Sequence, residues 1–337
     1  LSRIALICPT RTRFHVDSEA EQGLGGIEGA NIALGHALSR LGHEVVLHSR
    51  ADAPRRSGAL LNLPLEALEP GVFDVLIASN DARWLKGARD GARSVAWIHN
   101  PLSIEKAVRR GQFPPLLRLR PDAVFVGRKL MEGTSRLLPY GRRTVIGLGV
   151  DARFLAPREP GPREDAFVFA SQRQRGLAPL LAAWRAAGRR RPPDAAFHVF
   201  GTERREMGMT ESEAGLAGIV FHGRVTKDAL LEAYAKARAM LIPGAMDETF
   251  CLAAAEAQCL GLPVVTMGIG SLSERVTDGV DGVLCGDHGA MVESALRLAA
   301  DPALFARLSA GASAQRDRLR WDGVAAEWEA LLAEPAA

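Results

Sequence analysis

A short apolar run followed by a stretch of helical periodicity recurs along this chain in two successive series. That alternation constrains the fold strongly. Parallel strands cannot be joined by a tight hairpin, so each needs a crossover, usually a helix, before its neighbour. In the first series, strands are expected at Arg3–Cys8, Glu44–His48, Val72–Ser79, Ser94–His99, Asp122–Val126 and Arg143–Ile146. Helices are expected at Ile27–Leu41, whose apolar spacing Gly42 ends, and at Lys129–Leu138. The glycines of Ile146-Gly147-Leu148-Gly149-Val150-Asp151 mark a hinge, and Pro157 to Arg163 has linker composition. The second series predicts strands Phe167–Ser171, Ala196–Gly201, Gly218–His222, Ala239–Pro243, Val264–Met267 and Val283–Cys285. Its helices are expected at Gly176–Ala187, Lys227–Lys236, Leu252–Leu260, Ala290–Ala299 and Pro302–Arg318, with a last helix at Asp322–Leu332. A chain of 337 residues exceeds one ordinary core. The expectation is α/β, with parallel-sheet, Rossmann-like domains over 1–150 and 151–320 and a terminal helical segment, 321–337.

Chemistry concentrates in PGAMDETFCLAAAEAQCLGLPVV, where Glu248 and Glu256 stand eight residues apart. Asp247-Glu248-Thr249 reads as the entry to a buried helix, and Gly261-Leu262-Pro263 stops it. At about 1.5 Å of rise per residue, the two acids are separated by at most roughly 12 Å. That distance suits a sugar at one end of a diphosphate and a ribose at the other. Between them, the helix N-terminus offers free N–H groups and a positive dipole end to a phosphate. Taken alone, such spacing also fits two surface glutamates on an ordinary amphipathic helix.

The surroundings favour the ligand. Leu241-Ile242-Pro243, Glu248-Thr249-Phe250-Cys251 and Glu256-Ala257-Gln258-Cys259-Leu260-Gly261-Leu262-Pro263-Val264-Val265 resemble the signature of the retaining glycosyltransferases of family 4. That signature has a strand, Pro, a loop, Glu-x-Phe-Gly, then Glu-Ala-x-Ala-x-Gly-x-Pro-Val-Val, so Cys251 stands where Gly is usual. The resemblance covers Gly23 to Trp321 and implies the GT-B fold, two Rossmann-like domains facing across a cleft. It implies a nucleoside-diphosphate sugar as donor, with Glu248 on the sugar hydroxyls and Glu256 on the ribose diol. The N–H groups around Thr249, Phe250, Cys251 and Leu252 would lie on the phosphate.

Other positions take roles from the same resemblance. Gly23-Leu24-Gly25-Gly26-Ile27-Glu28 fits the family's Gly-Gly-x-Glu better than a dinucleotide fingerprint, which wants G-x-G-x-x-G directly after a strand. Gly25 and Gly26 would let a sugar diphosphate approach the backbone. The polar loop Pro9–Gln22 is the expected wall of the acceptor site. His99 ends a strand, at the edge where parallel sheets bind ligands, and matches the family's active-site histidine. A histidine in that position is otherwise a structural strand end. Arg175-Gly176-Leu177 matches the end of Gly-Arg…Glu-Lys-Gly-Leu, making Arg175 the cation for the leaving diphosphate; Arg173 matches only across a deletion. Arg224 and Val225 are expected beside the base, with His222 a strand residue. Gly149-Val150-Asp151 keeps part of the family's hinge motif, and Trp321 matches an aromatic after which, the resemblance implies, the segment 321–337 crosses back to the first domain.

Composition excludes several alternatives. The chain is 47% hydrophobic and 24% charged, values of a soluble globular protein, and no apolar run approaches a membrane span. No basic, apolar, small-residue leader opens it, and its four cysteines are scattered, so a reducing cytoplasm is expected. No His/Cys/Asp cluster has metal spacing and no Asp-x-Asp is present, so no metal and no cofactor are expected. Between Arg83 and Arg143, fourteen basic residues face four acids, a local charge of +10 in a chain whose net charge is +3. A solvated Arg-rich surface accounts for this as readily as a face for an anionic membrane or an anionic acceptor. At 6%, aromatics are too sparse to read it as a nucleic-acid surface. The expected partners are therefore the sugar nucleotide and a glycan, glycolipid or small-molecule acceptor. A nonhydrolysing sugar-nucleotide epimerase and a catalytically silent sugar-nucleotide-binding protein are the alternatives.

Overall fold

The structure is a computed structural model that describes residues 1–18, 24–156 and 161–335. Part of the loop Pro9–Gln22, Gly23 and part of the linker Pro157–Arg163 lie outside the described residues. The chain forms two compact units, Leu1–Gly149 with Trp321–Ala337, and Val150–Arg320.

In chain order the first unit contains β1 (Arg3–Ile7), α1 (Gly26–Arg40), β2 (Glu44–Ser49), β3 (Arg55–Ser57), β4 (Leu60–Pro64), β5 (Val75–Ser79) and β6 (Arg93–Ile98). It continues with α2 (Ile104–Arg109), α3 (Phe113–Leu119), β7 (Asp122–Phe125), α4 (Arg128–Glu132) and β8 (Arg143–Val145). The sheet order is β3-β4-β2-β1-β5-β6-β7-β8, parallel except for the β3–β4 hairpin. That hairpin was not legible, because Leu60-Leu61-Asn62-Leu63-Pro64 mixes an apolar run with a proline that reads as loop. Pro64 ends the strand, and the Asn62 side chain is buried and bonded to the Leu47 carbonyl at 2.9 Å. The helix expected over Lys129–Leu138 is a single turn, because the chain turns at Gly133 and Thr134 bonds back to the Leu130 carbonyl.

The second unit contains α5 (Ala152–Leu155), β9 (Ala166–Ala170), α6 (Leu177–Ala187), β10 (Ala196–Phe200), α7 (Glu211–Leu216), β11 (Ile219–Gly223), α8 (Lys227–Lys236) and β12 (Ala239–Leu241). Then come α9 (Leu252–Cys259), β13 (Val264–Thr266), α10 (Leu272–Arg275), β14 (Gly282–Leu284), α11 (His288–Ala300) and α12 (Pro302–Ser313). α12 stops at Ser313, short of the expected Arg318, and a 3-10 turn, Arg316–Leu319, follows it. The six strands run parallel in the order β11-β10-β9-β12-β13-β14. Trp184 of α6 is buried between Phe167 and Phe197, with ring centroids 5.3 and 5.2 Å away, and its Nε1 donates to the Ala217 carbonyl at 2.8 Å. Truncating such a residue costs about 3–5 kcal/mol.

The last helix, α13 (Trp321–Ala333), belongs to the first unit. Its Trp328 stacks edge-on against Trp97 of β6 at 5.4 Å. At its start the Trp321 ring covers Gly149, where a Cβ would lie 2.6 Å from Trp321 Cγ.

Candidate donor site

Strand order places the cluster. In the second unit the order reverses between β9 and β12, and ligands of open parallel sheets bind at the carboxyl ends of strands beside such a switch. The loop after β9 carries Arg175, and the loop after β12 carries Glu248. The two side chains form an ion pair, both largely buried. Gly176 makes this possible: it sits at φ +90°, and a Cβ there would lie 2.7 Å from Pro243 Cβ. No other residue lets the two loops approach so closely without strain.

The Glu248 carboxylate also accepts the Cys251 N–H at 3.2 Å. This corrects the expectation that the amides entering α9 are open to a phosphate: one of them holds Glu248. Only Leu252 onward is helical, so the rise of an α-helix does not measure the whole step from Glu248 to Glu256. Cys251 itself is left-handed, at φ +63°. Glycine's advantage at this position is therefore conformational as well as steric. Its thiol is pushed up by burial and by the neighbouring Glu248 carboxylate. Phe250 is buried, and Thr249 and Leu252 are half-buried in the same turn.

Glu256 lies in α9, is 4% exposed and pairs with Lys227, the first residue of α8. The Lys227 ammonium also stands over the Phe154 ring, 5.5 Å from its centroid. Tyr234 is fully buried nearby, and burial with the Glu256 charge pushes its phenol well up. Lys227 was missed by sequence reading. Its pairing depends on α8 and α9 meeting in space, and its only local signal is the Thr226 cap that starts α8. Also missed was the loop Gly268–Ser271. Gly270 packs against the backbone of Ala245 and Glu248, and Ser271 N–H donates to the Glu248 carbonyl at 2.9 Å. Two glycines immediately after a strand were the available signal.

Not every expected residue joins this cluster. Arg173 points elsewhere, its guanidinium donating to the Glu206 carbonyl at 3.2 Å. Arg224 is exposed and Val225 half-buried where the chain leaves β11, beside Thr226 and Lys227.

In the first unit, His99 follows β6 and is 3% exposed, its ring 4.4 Å from Trp97. Its backbone N–H is held by the Asn80 side chain at 2.8 Å, and its Nε2 has no hydrogen-bond partner. Burial brings its pKa down to about 3, so the imidazole is neutral. Gly25 caps α1, and the Glu28 carboxylate occupies the space a Gly25 side chain would need. Gly26 is exposed beside it.

Ion pairs reduce the basic window. Arg83 pairs with Asp81, Arg89 with Asp74 and Arg142 with Glu334, three acids outside the span from Arg83 to Arg143. The +10 read along the sequence therefore overstates the surface charge.

Among the described residues no group of His, Cys, Asp and Glu could hold a metal ion, and no helix is long and apolar enough to cross a membrane.

Known proteins resemble this chain in sequence and in fold. Residues 165–301 match the family model for glycosyl transferases group 1. A D-inositol 3-phosphate glycosyltransferase from Streptomyces bingchenggensis is 35% identical over 312 residues, 79% of this chain and 67% of that protein. One from Geodermatophilus obscurus is 32% identical over 322 residues, 80% and 69% of the two chains. The chain thus spans about two thirds of the length of these relatives. Among solved structures, sucrose-phosphate synthase from Thermosynechococcus elongatus superimposes with a TM-score of 0.72 at 16% identity, over 98% of both chains. Anabaena HepE in complex with UDP-glucose does so at 0.69 and 15%, over 98% of this chain and 99% of that one. Their shared architecture is GT-B.

Proposed function

The chain belongs to the family 4, group 1 glycosyltransferases, and we propose that it moves a hexosyl group from a nucleoside-diphosphate sugar with retention and without a metal ion. The observation that carries this reading is the Arg175–Glu248 pair at the entry to α9. On donor binding, the diphosphate takes over Arg175 and the amides that lead into the helix. Glu248, released, orients the sugar hydroxyls, and Glu256 takes the ribose diol. His99 serves as a neutral hydrogen-bonding group for the sugar.

The acceptor hydroxyl attacks the anomeric carbon from the side of the departing diphosphate as the carbon–oxygen bond to phosphate breaks. Its proton passes to the leaving phosphate oxygen, so no dedicated base is needed. Arg175 and the backbone amides stabilise the charge that grows on that oxygen. Family membership stands against an epimerase.

A second reading concerns the acceptor. Arg110, Arg118 and Arg120 are exposed around α2 and α3, with no acid paired to them among the described residues. Exposed Val108 and Leu117 lie on the same two helices. Such a surface suits an anionic acceptor or an anionic membrane that presents one. Because the relatives are D-inositol 3-phosphate glycosyltransferases, that compound is the first acceptor to test.

The deciding experiment is a thermal-shift panel of UDP, GDP, ADP and TDP, followed by donor turnover with and without acceptor in excess EDTA. Transfer that persists in EDTA supports the reading. Binding without turnover under any acceptor leaves a silent binding protein, and loss in EDTA restored by manganese or magnesium overturns metal independence.

A further inference from the structure

Arg275, at the end of α10, is a cation in search of an anion. Its guanidinium lies over the Phe250 ring, 4.2 Å from the centroid, beside the turn that opens α9. Among the described residues its side chain makes one hydrogen bond, a long one of 3.5 Å from a terminal nitrogen to the Phe250 carbonyl. The Nε is buried and has no partner. Arg275 is half-buried, and a guanidinium withdrawn even in part from water without an anion is costly. Other half-buried cations of this unit avoid that cost: Arg175 has Glu248, Lys227 has Glu256, and Arg163 donates to the carbonyls of Tyr234, Ala237 and Leu260. Asp281 lies within electrostatic reach of Arg275, but its carboxylate accepts from the Thr277 N–H and the Gln315 side chain instead. The positive end of a helix also opposes a cation unless an anion shares the place.

The surroundings name the anion. Arg175 pairs with Glu248, whose carboxylate accepts the Cys251 N–H, and Arg275 lies over Phe250, so both guanidiniums meet the turn that leads into α9. Arg173, the second phosphate cation implied by the sequence resemblance, is engaged by the Glu206 carbonyl. We propose that Arg275 is a ligand of the donor diphosphate, supplying with Arg175 the second cation that Arg173 does not provide. The assignment rests on the donor-site reading above and adds a residue to it. A planar guanidinium stacked on Phe250 is held in one orientation, which suits bidentate contact with phosphate oxygens.

The test uses inorganic pyrophosphate, which carries the diphosphate without a base, alongside UDP and uridine, by calorimetry on the whole chain. Arg275→Gln should weaken pyrophosphate and UDP binding by roughly 10- to 100-fold, the range expected for a charge-assisted hydrogen bond, and leave uridine binding unchanged. Arg275→Lys keeps the charge and should recover part of the loss, which a purely structural role would not predict. It also secures the test if the Gln variant fails to fold. Equal pyrophosphate affinity in wild type and Arg275→Lys, or equal affinity in wild type and a folded Arg275→Gln, overturns the assignment. If the wild type binds neither pyrophosphate nor UDP, GDP, ADP or TDP, the donor-site reading itself fails.

Discussion

The Arg175 guanidinium and the Glu248 carboxylate neutralise one another at the one place in the second sheet where strand order reverses. Both side chains are largely buried, and under the proposed function each becomes available to the donor only when the other finds a substitute. Removing Arg175 should therefore harm the fold as well as the proposed phosphate binding. Arg175→Gln should destabilise the fold by about 3 kcal/mol, because it leaves a buried carboxylate without its cation. Arg175→Gln with Glu248→Gln should cost less than the two single changes together. Urea unfolding of all four proteins gives the coupling directly, and strict additivity would deny the pair. Glu248→Ala should mainly lower kcat.

Glu256→Ala should raise the dissociation constant of the cognate nucleoside diphosphate, by about 1–3 kcal/mol in binding energy. Lys227→Met should weaken the same binding by a smaller factor, since Glu256 stays in place but loses its ion pair. Calorimetry decides both. Unchanged affinity in Glu256→Ala would falsify the ribose assignment.

Cys251 holds a conformation that costs an L-residue roughly 1–2 kcal/mol. Cys251→Gly should raise the thermal midpoint, by about 2–4 °C for each kcal/mol recovered in a unit of this size. A lower midpoint would mean that the thiol's packing outweighs the backbone strain. Alkylation of Cys251 should be slow until the protein unfolds, because burial holds the thiol protonated.

His99 links stability to acid. Its pKa lies near 3 in the fold against an ordinary 6.5, so below 6.5 the unfolded chain takes up a proton that the folded chain refuses. The contribution is complete above pH 6.5 and is lost as pH falls from there toward 3. His99→Gln removes that titration, so its urea midpoint should change less with pH over the window than that of the wild type. Parallel curves for the two proteins would place the histidine in solvent.

The arginines on α2 and α3 make a separate prediction. Cosedimentation with vesicles should increase with anionic lipid content and fall with salt, since exposed charges are screened beyond about 8 Å at physiological ionic strength. Arg110→Gln, Arg118→Gln and Arg120→Gln together should reduce it without changing the thermal midpoint. Equal, negligible binding to neutral and anionic vesicles would leave only a soluble anionic acceptor for this surface.

Sequence carried the parallel-sheet alternation because apolar runs and helical periods are local. It also singled out Arg175, beside Gly176, and Glu248 with Glu256, whose spacing along one short stretch is local, and the structure pairs Arg175 with Glu248. Lys227 and Arg275 escaped for the opposite reason. Each acquires its meaning from a partner far along the chain, Lys227 from Glu256 and Arg275 from Phe250. The basic window misled in the same way: Glu334 reaches Arg142 from 192 residues away, and no linear count registers it. Cys251 is intermediate. Its substitution for glycine was visible, but the reason glycine suits the place became plain only with its φ of +63°.

The contact of Trp321 with Gly149 bears on how this protein could be taken apart. The first unit is built from two stretches separated by the whole of the second, yet their ends already touch, Gly149 under the Trp321 ring. Excising residues 150–320 and joining Gly149 to Trp321 through a few flexible residues would make that unit a single continuous polypeptide. Cutting the chain simply after Gly149 would instead strip Trp328 from Trp97 and lay bare an aromatic face.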